Sequence, residues 1–351
     1  MDQFESTEPG TMQPGAVRRK AIRASQQTLV TETVLRAGTT LPLLFEPAVD
    51  GVNLREWAVA HRERVMEKLS TDGAILFRGF DVGTIAEFER IMQALAGDLL
   101  DYSYRSTPRS PVSGRIYTST EYPAHQHIPQ HNEMSYTRSW PMVLGFFCAE
   151  PSAEGGETPI ADSRAVFQRV DPAIRDRFAK QSVMYVRNYG DALDLPWQEV
   201  FQTDDRATAE AFCRRAGIDF EWQGEDRLRT SQVCQAIAAH PATGALVWFN
   251  QAHLFHVSSL GPEIRDALLG SAAEPPRNAY YGDGSAIDER DLDQIRAAYE
   301  SEAVAFPWQK GDILLVDNML VSHGRHPYHG SRKIVVAMAQ ACADQPGMET
   351  S

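Results

Sequence analysis

The chain has few cysteines, and the four it has (Cys148, Cys213, Cys234 and Cys342) form no Cys-x-x-Cys pair. That scatter excludes a zinc ribbon and a disulfide framework and fits a reducing compartment. No run of about 18 apolar residues exists, so no membrane span is expected. The opening Met1-Asp2-Gln3-Phe4-Glu5 lacks the basic-then-apolar order of a secretion signal, and a cytoplasmic location is expected. A basic stripe is missing as well: formal net charge is −13, which argues against a nucleic-acid partner. The densest basic run, Arg18-Arg19-Lys20 with Arg23, falls in a Pro/Gly-containing stretch that reads as a tail. Internal repeats and low-complexity linkers are also lacking, which removes solenoids and beads-on-a-string arrangements.

What is present suits a globular enzyme. The 351 residues are 43% hydrophobic and 23% charged, enough for one large core. Residues 1–27 read as a disordered tail, 28–340 as one domain with a lid or insertion at about 190–306, and 341–351 as a second tail. Helical spacing predicts helices over Asn53–Leu69 and Thr84–Leu95. Met142–Cys148 is a continuous apolar run, expected as a strand buried on both faces. Further strands are expected at Arg115–Thr120, Val183–Val186, Asp312–Val316 and Lys333–Ala339.

The stretch that organises the rest is Gln130-His131-Asn132-Glu133-Met134-Ser135. On an extended strand, His131 and Glu133 would point to one side, because side chains alternate with period two. A third ligand is offered far downstream, where the apolar Asp312–Val316 strand is expected to run out into a short loop that ends on His323. Two imidazoles and one carboxylate with open positions form the ligand set of non-haem Fe(II) oxygenases. A zinc hydrolase would use the same three ligands with a bound water, and a metal-binding module without catalysis is the non-enzymatic alternative. Other histidines compete. His125-x-His127 lies in a Pro-containing loop without a carboxylate, and His127 is expected to line the substrate entrance. His253 and His256 have helical spacing and read as core or cap. His326 and His329 follow His323, but Pro327 breaks the helix that would align them.

With these pieces in order, the sequence resembles the taurine dioxygenase/clavaminate synthase-like family. The resemblance runs from about Leu41 to Ala339. It is carried by His131-x-Glu133, Gly155-Gly156-Glu157-Thr158, Asp317-Asn318, His323-Gly324-Arg325 and Arg332. Glutamate stands where aspartate is more usual. The phrases His-Asn-Glu-Met-Ser-Tyr and Gly-Gly-Glu-Thr-Pro-Ile-Ala-Asp-Ser resemble the SyrP-like amino-acid hydroxylase branch. The resemblance implies a double-stranded β-helix (jelly-roll, cupin-like) core, mainly β with flanking helices and a large helical insertion. It implies Fe(II), 2-oxoglutarate as cosubstrate and O₂, with iron on His131, Glu133 and His323. Arg332 would receive the distal carboxylate of 2-oxoglutarate, and Thr158 would share it. The family often carries another arginine where this chain has Val336, which argues against a sulfonate bound in the same way. A carboxylate ligand at Glu133 leaves no vacancy for chloride and argues against a halogenase. The implied reaction is hydroxylation of an amino acid, at the β-carbon by first expectation, in natural-product biosynthesis. Free, carrier-tethered and peptide-bound substrates all stay open, as do desaturation, epoxidation or ring closure and homo-oligomer assembly. Arg325 either clamps a substrate carboxylate or pairs with Asp317, and Glu121 is a candidate for a substrate ammonium.

Overall fold

The structure, a computed structural model, describes residues 29–343 except 36–37, 103, 105–106, 108, 191–194, 225, 262, 264 and 267–273. The expected N-terminal tail and all but the first three residues of the expected C-terminal tail lie outside the described residues. Those three, up to Ala343, continue the last strand, Lys333–Ala343.

An eight-stranded sheet forms the backbone of the molecule. Its spatial order is Val30–Val34, Leu43–Pro47, Ala74–Phe77, Ile313–Asp317, Ser139–Glu150, Lys333–Ala343, Ile116–Thr118 and Pro111–Ser113. All pairings are antiparallel but one, where Leu43–Pro47 runs parallel to Ala74–Phe77. The central strands carry apolar residues on both faces. Val143, Phe147, Ile313, Leu315, Val335 and Ala337 pack under the helices of the N-terminal part. Their neighbours Leu144, Phe146, Leu314, Val316, Ile334 and Val336 face inward, into a second cluster. This two-sided burial is why Met142–Cys148 reads as an unbroken apolar run.

The outer face is covered by helices Leu54–Ala60, Arg62–Asp72 and Ile85–Ala96. The first two read from sequence as one helix, but His61 interrupts them. Its ring stacks on Trp57 at 4.5 Å, and its Nδ1 lies 2.8 Å from the Trp57 carbonyl oxygen. The third starts on a reciprocal cap between Thr84 and Glu87, two orphan N–H groups being met at once.

The inner face meets a three-stranded antiparallel sheet, Ile128–His131, Val321–Arg325 and Ile160–Asp162, with Val321–Arg325 in the middle. Two sheets enclosing one apolar layer make the expected jelly-roll. From the sequence, helices read at Ala207–Ala216, Pro262–Leu269 and Asp288–Glu300; the insertion contains Arg206–Ala216 and Glu289–Glu302, and much of 262–269 lies outside the described residues. It also builds a four-stranded sheet in the order Asp219–Gln223, Arg227–Cys234, Val183–Tyr189, Arg277–Tyr281. A separate apolar cluster that includes Phe178, Tyr185, Trp248 and Tyr281 fills the space beneath it. No helix among the described residues is long and apolar enough to cross a membrane.

Candidate metal centre

His131 and His323 sit directly opposite each other in adjacent antiparallel strands, with ring centroids 4.4 Å apart. His323 lies within the strand Val321–Arg325 and not in a loop beyond Ile313–Asp317, as its sequence neighbours suggested. Nor do His131 and Glu133 share an extended strand: the strand ends at His131, and Glu133 opens a turn. The turn is forced by polar groups. Asn132 points away, its Nδ2 donating to Ser163 Oγ at 3.0 Å and to the Asn318 carbonyl at 2.7 Å. Asn318 then brackets Glu133, accepting its N–H at 2.7 Å and donating to its carbonyl at 2.9 Å. Met134 follows in the left-handed region at φ 58. The outcome for the side chains is still convergence. One ligand atom from each of His131, Glu133 and His323 lies within 4.8 Å of the others.

The electrostatics suit a divalent cation. Burial is the main cause that holds both imidazoles below their ordinary pKa, His323 well below, so both offer neutral nitrogens at neutral pH. His131 Nδ1 lies 2.9 Å from the Pro129 carbonyl oxygen, which fixes the N–H there and frees Nε2. His323 is packed against Phe146 at 5.0 Å between ring centroids. Glu133 is 3% exposed, and its Oε2 lies 3.8 Å from His323 Nε2. The same Oε2 accepts a 2.6 Å bond from Arg109 Nη2.

A cavity beside these groups is lined by Arg109, His131, Thr158, His323, Arg325 and Arg332, among others. Arg332 Nε donates to the Gly156 carbonyl at 2.9 Å, and Nη1 lies 3.3 Å from Ser119 Oγ. Gly156 has φ +72, and a Cβ there would lie 3.0 Å from Arg332 Cδ and Nε, so the Gly-Gly turn gives the arginine its seat. Burial, then the nearby Arg325 cation, lowers the Arg332 pKa to about 10, which marks an unneutralised positive charge. Thr158 is buried and accepts from Trp308 Nε1 at 3.2 Å.

The other expected groups divide. Arg325 does not pair with Asp317. Its Nη atoms donate to the carbonyls of Tyr122, Pro123 and Gln126 at 2.7–3.0 Å, tying down the loop before Ile128. Asp317 instead accepts from the N–H groups of Met319 and Leu320 and lies 3.0 Å from His240. Glu121 is exposed, accepts from Thr118 Oγ1 at 2.8 Å, and does not line the cavity. His127 is exposed and is not among the residues lining the cavity; its ring lies 5.9 Å from that of His326. His253 is buried and bonded to the Gln130 carbonyl at 3.0 Å, supporting the His131 strand from behind. Arg109 was missed from the sequence, since it lies in an irregular, polar stretch with no motif around it.

Two imidazoles and a carboxylate beside an arginine-lined cavity are the arrangement that mononuclear non-haem oxygenases use. Residues 37–338 match the model of the taurine catabolism dioxygenase TauD, TfdA family, and the chain belongs to that family. It is a 2-oxoglutarate-dependent dioxygenase that uses Fe(II) and O₂. Among curated relatives, the dapdiamide synthesis protein DdaC of Enterobacter agglomerans is 42% identical over 274 residues, covering 78% of this chain and 83% of the relative. A clavaminate synthase-like protein of Arabidopsis thaliana is 32% identical over 282 residues, with the same coverage of 78% and 83%. The fold is similar to that of PvcB from Pseudomonas aeruginosa, at 15% identity, TM-score 0.53, and coverage of 92% and 96%.

Proposed function

We propose that His131, Glu133 and His323 hold the Fe(II), and that the enzyme hydroxylates an unactivated carbon of an amino acid in natural-product biosynthesis. The observation that carries the reading is the meeting of three ligand atoms within 4.8 Å from two distant parts of the chain. The donors fit the ion: two neutral nitrogens, one anionic oxygen, and a cavity on the open side. With iron and 2-oxoglutarate bound, the centre supplies O₂ activation, and the cosubstrate leaves as succinate and CO₂.

The chain's own residues bind and orient. Arg332 takes the distal carboxylate of 2-oxoglutarate, an arginine fork being suited to a carboxylate in a half-buried site. Thr158, positioned by Trp308, shares that carboxylate through its hydroxyl. Arg325, which lines the cavity, ties down the Tyr122–Gln126 segment through its carbonyls, and we take that segment and His127 to border the substrate entrance. No protein acid or base is required by this chemistry, and the side chains aim the substrate. The relative named for dapdiamide synthesis supports a natural-product setting. The β-carbon and a free or carrier-tethered form belong to the same proposal. Desaturation, epoxidation or ring closure at the same centre would differ in how the substrate sits.

The test is anaerobic addition of Fe(II) and 2-oxoglutarate, read by the visible metal-to-ligand charge-transfer band, followed by O₂ and a succinate assay with amino acids. The reading expects the band, and succinate release that rises with one amino acid. Tight zinc retention with no band would replace it with a hydrolase.

A further inference from the structure

A cavity of about 550 Å³, sharing no residue with the one at the metal centre, is lined by Met134, Thr137 and Ser139 from the stretch that follows Glu133. The helix Arg206–Ala216 supplies Phe212, whose ring stacks on Tyr104 with centroids 5.5 Å apart, and Tyr104 and Ile218 add further apolar surface. Three exposed cations, Arg138, Arg214 and Arg215, line the same cavity, and no carboxylate does among the described residues. Arg214 shares its charge with Glu210 at 2.7 Å. In a chain of formal net charge −13, an apolar recess bordered by arginines suits an occupant that is acidic and partly apolar.

The last described residue, Ala343, lines this cavity too, and the residues after it have both properties. Ala341, Cys342 and Ala343 face Pro141, Trp140 and Ser139 in antiparallel register, so one further step sets Asp344 opposite Arg138. Unlike charges directly across a strand pair favour that step. Gln345-Pro346-Gly347-Met348-Glu349 comes next. Pro-Gly is favoured at the centre of a type II turn, and proline lacks the N–H that would prolong a ladder. We infer that residues 344–349 dock in this cavity as a strap: Asp344 pairs with Arg138, the chain turns at Pro346-Gly347, Met348 packs against Met134 and Phe212, and Glu349 meets Arg214 and Arg215. At roughly 3.3–3.6 Å per residue, the stretch from Ala343 to Met348 spans up to about 17 Å, enough to re-enter a cavity that Ala343 already borders. The strap covers Met134 and Thr137 and so braces the turn that begins at Glu133. It does not depend on the metal assignment.

The test is hydrogen–deuterium exchange, read by mass spectrometry, on the full chain and on its Asp344→Arg, Arg138→Asp, Asp344→Arg with Arg138→Asp, and Met348→Ser variants. Exchange in residues 344–349 is expected to be at least about ten-fold slower than in a free peptide of that sequence. Met348→Ser should speed exchange there and in residues 134–139 by about ten-fold. Each single charge reversal should speed it by about two- to five-fold. The paired reversal should restore protection, a recovery that general loosening of the surface would not give. Exchange of residues 344–349 at the free-peptide rate in the unaltered chain would overturn the proposal. Protection that survives Met348→Ser and both single reversals would also overturn it, by placing the segment elsewhere. Protection lost on dilution would give the cavity to a second copy of the chain. Slowing in residues 212–218 that appears only on adding decanoate would give it to a small carboxylate.

Discussion

The small sheet that bears His131 and His323 and the four-stranded sheet of the insertion are built in opposite ways. The small sheet gathers short strands from three distant parts of the chain, and much of what it buries is polar: Gln130, Asn132, Glu133, Ser322, His323. Its order depends on hydrogen bonds such as the Asn318 bracket and the bond from Ser322 Oγ to Gln130 Oε1 at 3.0 Å. The insertion sheet packs aromatic and aliphatic residues over its own cluster. One region specifies positions through polar networks, and the other supplies apolar burial. The two touch through His253, on the short helix Ala252–Phe255, which bonds the Gln130 carbonyl beside His131.

The sharpest way to separate the regions is Glu133→Ala. It should abolish succinate formation; the turn keeps its backbone bonds to Asn318, while the loss of the buried partner of Arg109 costs about 3–5 kcal/mol of stability, so turnover is compared on the folded fraction. Retention of full turnover would show the ligand set to be misassigned. The converse change is Phe178→Ala, which removes a fully buried ring lying 5.1 Å from both Trp248 and Tyr281. It should cost about 3–5 kcal/mol in denaturant unfolding, while Mn(II) affinity of the folded protein changes little. A parallel loss of metal binding would mean that the regions are not separable.

Smaller effects sharpen the division further. Arg332→Gln should raise the KM for 2-oxoglutarate by about 10- to 100-fold, the worth of a charge-assisted bond, and leave metal affinity in place. An unchanged KM would take Arg332 out of the site. Acidification tests the link between regions. Burial, the dominant cause, lowers the His253 pKa from 6.5 to about 3, so the unfolded chain takes up a proton that the folded one refuses. Stability should therefore fall as pH drops below 6.5 toward about 3, by at most about 1.4 kcal/mol per pH unit from this group. His253→Gln should flatten that slope in thermal melts, and an unchanged slope would contradict the assignment.

Legibility in the sequence follows the same division. The central strands were plain because burial on both faces leaves an unbroken apolar run, and the helix at Thr84 was plain because its cap is local. His131, Glu133 and His323 were recognisable as a ligand set, yet the reasoning that joined the first two was mistaken. Period-two alternation does not apply where Asn132 and Asn318 turn the chain at Glu133. The break at His61 and the strands Arg227–Cys234 and Arg277–Tyr281 escaped notice, since side-chain-to-backbone bonds and non-local pairing decide them. Arg109 escaped for the same reason: its meaning arises only when Glu133 is folded against it. Arg325 carried a visible motif, but its partners are backbone carbonyls, which no residue pattern announces.

The most direct measurement is Mn(II) binding by electron paramagnetic resonance on the full chain and on His131→Ala, Glu133→Ala and His323→Ala, each with and without 2-oxoglutarate. The account predicts one bound ion per chain, a spectrum that changes when 2-oxoglutarate is added, and a large loss of affinity in all three variants. Undiminished binding in any variant, or a spectrum indifferent to 2-oxoglutarate, would contradict it.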